Sequence, residues 1–182
     1  LDEERARYQA EHDPLTGLCS RAFIEQHLGK AVASARDHDE RLTLLFIDLD
    51  GFKAVNDRHG HAAGDRVLVE AARRLRQVFR RKEDVLGRLG GDELVVVLPG
   101  LDASAPVVTD LAEQLIARFR QPFVLDDGSR CQVGASVGAA SFPQHAVTAK
   151  TLIAAADQAM YAVKQTGKGR FAIARPPEAL TA

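Results

Sequence analysis

Cysteine is scarce in this chain, with two in 182 residues, Cys19 and Cys131. They stand far apart and outside any ligand-like spacing, which excludes a disulfide framework and a cysteine-held zinc and fits a reduced, cytoplasmic compartment. Charge of one sign is lacking as well. Twenty-four Lys and Arg stand against 25 Asp and Glu, for a formal net charge of -1. Nothing in that balance draws the chain as a whole to DNA or to an anionic membrane, so any phosphate binding has to be local. No apolar run approaches the ~20 residues that span a bilayer. No signal peptide, internal repeat or low-complexity tract is visible in these 182 residues. Leu1 stands where an initiating Met would, which reads as a piece of a longer protein whose other regions could anchor it to a membrane.

What is present suits one domain. Hydrophobic residues make up 46%, and a chain of this length can bury roughly 70% of its unfolded surface without staples. Residues 1–12 are charged and helix-compatible, either a solvated helix or the end of a signalling helix from an upstream module. Pro14 and Gly17 then punctuate a turn. A helix is predicted after Ser20 as N-cap, with Phe23, Ile24 and Leu28 at helical spacing. Residues 42–47 form a short apolar run ending at Asp48, read as a buried strand. A short helix is expected over 51–60. Residues 64–80 make an amphipathic helix, with Arg66, Arg73, Arg74, Arg76 and Arg80 on its polar face. Residues 85–89 and 94–98 read as strands around Gly90-Gly91, a hairpin signal because tight turns need φ > 0. Further elements are a helix over 107–119, strands over 123–125 and 131–142, a helix over 148–166 and a strand over 171–174. The order predicts an α/β (α+β) domain: a palm-like sheet of about five mostly antiparallel strands, helices on both faces, and an extra hairpin carrying Gly90-Gly91-Asp92-Glu93-Leu94.

Two acidic points could carry chemistry. Asp48 and Asp50 end the buried strand, and Asp92 and Glu93 sit at the hairpin tip beside glycines. Hard divalent ions take a few carboxylates together with phosphate oxygens and water, and a pair of such ions activates a hydroxyl and steadies a leaving pyrophosphate. Lys53, Lys164 and Lys168 supply point charges suited to phosphate. Each feature alone reads equally as a solvated turn or surface charge.

Taken together, four blocks closely resemble the GGDEF domain family. They are residues 13–18 (DPLTGL), 45–65 (LFIDLDGFKAVNDRHGHAAGD), 88–94 (RLGGDEL) and 156–170 (ADQAMYAVKQTGKGR), in the family's order and covering about residues 12–174. The resemblance implies a diguanylate cyclase, which condenses two GTP into cyclic di-GMP and two pyrophosphates. It implies two Mg²⁺ or Mn²⁺ per GTP site, held by Asp48, the Leu49 carbonyl, Asp92 and Glu93, with Glu93 also able to help deprotonate the attacking hydroxyl. Gly90 and Gly91 would let the backbone approach the nucleotide, Lys53, Lys164 and Lys168 would neutralise the triphosphate, and Asn56 and Asp65 would read guanine. Arg81 and Asp84 match the family's RxxD product-inhibition site.

The resemblance also implies a homodimer for catalysis, because one domain holds one GTP. An upstream sensory domain and a downstream EAL-type domain are the partners expected in the full-length protein. Residues 1–12 are then a signalling-helix remnant, 13–175 the domain and 176–182 a loose tail. Two departures stand out: Leu94 replaces the family's Phe, and Lys168 stands where Arg is frequent, which loses a bidentate fork. The alternative is a catalytically silent GGDEF domain that binds GTP or cyclic di-GMP as a regulatory module. An adenylyl cyclase or polymerase relative on a similar sheet is disfavoured by Asp65.

Overall fold

The computed structural model describes residues 1–177. Its elements, in chain order, are α1 Asp2–Glu11, α2 Arg21–Asp37, β1 Leu42–Asp50, α3 Phe52–His59, α4 His61–Val78, β2 Val85–Gly90, β3 Glu93–Pro99, α5 Pro106–Phe119, β4 Phe123–Val124, β5 Arg130–Cys131, β6 Gly134–Phe142, α6 Ala149–Gln165 and β7 Phe171–Ile173. Five strands form one sheet in the order β2-β3-β1-β6-β7. Every pairing in it is antiparallel except β6 with β7.

Side chains alternate across each strand, so β1 feeds two cores. Leu45, Ile47 and Leu49 pack with α4 and α5 on one face, while Leu44 and Phe46 pack with α2 and α6 on the other. Two helices begin as their sequences direct. Ser20 caps α2 by accepting from the Phe23 N–H, and Thr148 caps α6 in a reciprocal capping box with Thr151. Helix α6 lies tight against the sheet at Gly138, where a Cβ would overlap the Ala156 carbonyl and the Met160 backbone nitrogen.

Three features differ from the sequence expectation. The signature hairpin is not an extra appendage: β2 and β3 are the edge of the main sheet, and β3 pairs directly with β1. The separate two-stranded sheet is instead β4 with β5. The strand expected over 131–142 is broken, because β5 belongs to that small sheet and the chain crosses at Gln132-Val133 to enter β6. Arg74, counted on the polar face of α4, is only 8% exposed at its side chain and reaches inward. Its guanidinium sits 3.8 Å from the Phe123 ring centroid and donates to the carbonyls of Arg118, Gln121 and Pro122. The expected tail over 176–182 lies, from residue 178 on, outside the described residues.

Candidate nucleotide and metal site

The site forms where β1 ends and the β2–β3 turn closes. Register sets Asp48 directly across from Glu93. Gly90 and Gly91, at φ 148° and 48°, make the turn in backbone regions that side chains disfavour. The turn brings Asp92 within hydrogen-bond reach of Asp48. Half-burial and that neighbour push the Asp92 carboxyl up to about 7. Burial, then Asp157 and Asp48, push Glu93 up as well, against the pull of Arg21. Asp157, on α6, is raised by burial and by Asp48.

Lys164, in the last turn of α6, completes the cluster at 3.3 Å from Asp48 and 3.1 Å from Asp50. Burial alone would lower its ammonium, but the two carboxylates overcome this and push it up. Asp48 Oδ1 is buried without any hydrogen-bond partner. An orphaned carboxylate oxygen with a second carboxyl nearby fits a divalent cation. Among the described residues no three His, Cys, Asp or Glu side chains converge as a ready ligand set. The donors present therefore suit a Mg²⁺-type ion that takes its remaining oxygens from phosphate, water and a backbone carbonyl such as that of Leu49, rather than a closed protein cage. Leu94 points into the core at 0% exposure, where an apolar side chain is what the position requires.

Two helices meet beside β1. Asn56 on α3 packs directly on Gly64 of α4, where a Cβ would overlap the Asn56 Oδ1. Asp65 follows on the exposed side of α4, and Lys53 and Lys168 are exposed too. Arg81 and Asp84 lie between α4 and β2, and Arg81 reaches Pro99, at the end of β3 opposite the Asp48–Glu93 pair. They are engaged with each other: Arg81 Nε donates to Asp84 Oδ1 at 2.8 Å, Arg81 Nη2 donates to the Pro99 carbonyl at 3.1 Å, and the Asp84 side chain is 1% exposed.

Sequence reasoning missed a strut behind the turn. Arg88 Nε donates to the Gly91 carbonyl at 2.9 Å, and its Nη1 pairs with Asp13 at 3.2 Å. Arg21 donates to the Leu89 carbonyl at 3.3 Å. The N-terminal block thus grips both ends of the glycine pair. All three residues were visible within the quoted blocks or beside them, but only the folded arrangement shows what they touch.

Comparisons with known proteins place the fold in a family. The family model described as diguanylate cyclase, GGDEF domain, matches residues 10–170. Diguanylate cyclase TpbB of Pseudomonas aeruginosa is 44% identical over 171 residues, which are 93% of this chain and 39% of TpbB. The chain therefore spans about two fifths of the length of that relative. The solved GGDEF domain of the same protein superposes with a TM-score of 0.85 at 44% identity, covering 90% of this chain and 94% of that one. The coiled coil and GGDEF domain of DgcB from Caulobacter crescentus, solved with c-di-GMP, superposes at 0.87 and 26% identity, covering 95% and 90%. With a family model that matches residues 10–170, most of its length, the chain belongs to the diguanylate cyclase GGDEF domain family.

Proposed function

We propose that residues 13–175 are a working diguanylate cyclase that joins two GTP molecules into cyclic di-GMP and releases two pyrophosphates. The observation that carries the reading is the Asp48–Asp92 pair, brought together by a strand end and a glycine turn, with one buried Asp48 oxygen left without a partner. Opposed carboxyls cost stability unless a cation joins them, and a fold keeps such a cost where function requires it.

Asp48, Asp92, Glu93 and the Leu49 carbonyl would hold Mg²⁺ or Mn²⁺, two per GTP site. When bound, these ions supply the Lewis-acid charge that activates a 3′-hydroxyl and steadies the leaving pyrophosphate. The chain's own residues bind and orient. Gly90 and Gly91 admit the phosphates to the backbone, and Lys53, Lys164 and Lys168 neutralise the triphosphate. Asn56 and Asp65 read guanine, since a carboxylate accepts from guanine N1–H and N2–H₂ together, a pair that adenine lacks. Glu93, with its raised carboxyl, is suited to take the proton of the attacking hydroxyl. One domain presents one such cleft, so two domains must face each other to close the ring.

Gly64→Ala tests the guanine assignment. The added methyl displaces Asn56, and KM for GTP should rise at least about tenfold, the cost of one lost polar contact, with kcat changed less. An unchanged KM would remove Asn56 from the recognition site.

Arg81 and Asp84 are proposed as the product site. Asp84 holds Arg81 ready, and the partly exposed guanidinium meets phosphate or the guanine Hoogsteen edge. Arg81→Ala should leave initial rates intact and weaken inhibition by added cyclic di-GMP; an unaltered inhibition curve would place feedback elsewhere. Residues 1–12 are proposed as the connection to an upstream sensory domain, with an EAL-type domain as the candidate beyond the tail.

A further inference from the structure

Asp50 ends β1 two residues beyond Asp48, on the same face of the strand, and is only 9% exposed. It is tied to three separate elements. Its Oδ1 accepts from the Ser136 hydroxyl of β6 at 2.7 Å and lies 3.1 Å from Lys164 Nζ of α6, while its Oδ2 accepts from the Gly169 N–H at 3.0 Å. Ser136 Oγ also accepts from the Gly169 N–H at 3.2 Å. Space for the carboxylate comes from its cross-strand partner Gly134, where a Cβ would press to 3.2 Å on Oδ2.

These bonds differ in permanence. The Ser136 and Gly169 donors are neutral, short and fixed to backbone or a strand side chain, so they persist whatever the charge nearby. Lys164 is a flexible point charge shared with Asp48 at 3.3 Å. A cation arriving at the free Oδ1 of Asp48 repels the ammonium that sits on Oδ2 of the same carboxylate, and Asp50 then keeps Lys164 in place. The Gly169 bond acts on the second lysine. Gly167, Lys168 and Gly169 all take positive φ, at 123°, 61° and 62°. For Lys168 that left-handed conformation is costly and needs an anchor, which the Gly169–Asp50 bond provides one residue away.

We propose that Asp50 is a positioning residue: it holds Lys164, and through Gly169 the loop carrying Lys168, where both lysines reach the substrate triphosphate. The proposal rests on the cyclase reading of the cleft. It makes Asp50 act through the lysines, without contact to nucleotide.

A double-mutant cycle on the whole chain tests it. Asp50→Asn and Lys164→Ala are combined, and affinity for a GTP analogue with an uncleavable α,β-methylene bridge is measured by calorimetry in Mg²⁺. Asp50→Asn should weaken binding about tenfold when Lys164 is present and less than about threefold when it is absent, the non-additivity of residues acting as one unit. Amide exchange at Gly169 in the ligand-free protein should accelerate in Asp50→Asn and stay unchanged in Lys164→Ala. Should Asp50→Asn fail to fold, Ser136→Ala removes one anchor with less disruption and should show the same coupling in weaker form. Equal losses in both lysine backgrounds, or protected Gly169 exchange in Asp50→Asn, would overturn the role of Asp50 alone. An unsubstituted domain that binds no analogue would overturn the nucleotide reading and this proposal with it.

Discussion

Asp92→Asn should silence turnover and stabilise the metal-free domain in the same stroke. The activity loss should reach at least about 10³-fold, since a carboxylate that helps hold the catalytic cation is gone. The stability gain follows from linkage. Asp92 is raised from the usual 3.8 to about 7, first by burial and then by Asp48, with Lys164 pulling the other way. Between those two values the folded protein binds more protons than the unfolded chain, so stability falls as pH climbs through that window and stays reduced above it. Asparagine removes the deficit, and allowing for solvent screening of a half-buried group the gain at pH 8 should be about 2 kcal/mol, or roughly 5 °C in Tm for a chain of this size. Melts without divalent ions should show variant and parent together near pH 4 and separated at pH 8. Mg²⁺ should then raise the parent and narrow the gap, because it binds only the folded parent tightly. A variant that melts at or below the parent at pH 8 would mean that Asp48 and Asp92 do not oppose each other.

Arg74→Ala should be among the most damaging single changes outside the cleft, at about 3–4 kcal/mol and roughly 10 °C in Tm. Arg74 closes the C-terminal end of α5, where the last carbonyls of a helix have no partners of their own. It serves Arg118, Gln121 and Pro122 at 2.8–2.9 Å, pairs with Glu70 at 3.0 Å and stacks on Phe123. Alanine removes the side-chain donor from the Gln121 and Pro122 carbonyls, leaves the Arg118 carbonyl only its bond from the Gln121 N–H, and opens a hole beside an aromatic ring. Arg74→Lys keeps the charge but not the planar fork, and should recover less than half of the loss. Glu70 reports on the same cluster. Hydrogen bonding to Arg73, with Arg74 adding to it, holds its carboxyl down at about 2 against burial. Its contribution is therefore present above pH 4.5 and lost as pH falls toward 2. A denaturant midpoint within about 1 kcal/mol of the parent in Arg74→Ala would show that α5 is held by other contacts.

The sequence made the elements legible where local chemistry is decisive. Ser20 and Thr148 cap helices through their own hydroxyls, and the glycine pair can turn a hairpin in few other ways. The continuous apolar run over 42–47 was likewise enough to predict a buried strand. Helical period, by contrast, says which residues share a face but not what that face meets. Arg74 thus looked solvated, although a sequence-distant turn at Gln121-Pro122 lies against it. Register across β1 and β3 is a tertiary fact, so the hairpin was expected as an appendage when it is the sheet's edge.

The same division holds in the cleft. The acids and lysines were visible as blocks, and Asp48, Asp92 and Lys164 do meet. The residues that hold them were not legible as such. Asp13 and Arg88 are 75 positions apart, and Asp50 and Gly169 are 119 apart. No spacing rule connects partners at those separations.

Two sites of this kind are expected to face each other to make one cyclic product. The most direct measurement is the rate of cyclic di-GMP formation from GTP and Mg²⁺, identified by mass, across a series of domain concentrations with bound product removed beforehand. Product per domain should rise with concentration, giving a total rate steeper than linear until dimers saturate. GTP binding with no cyclic product, even when two domains are tethered together, would contradict the account and leave a regulatory nucleotide-binding module in its place.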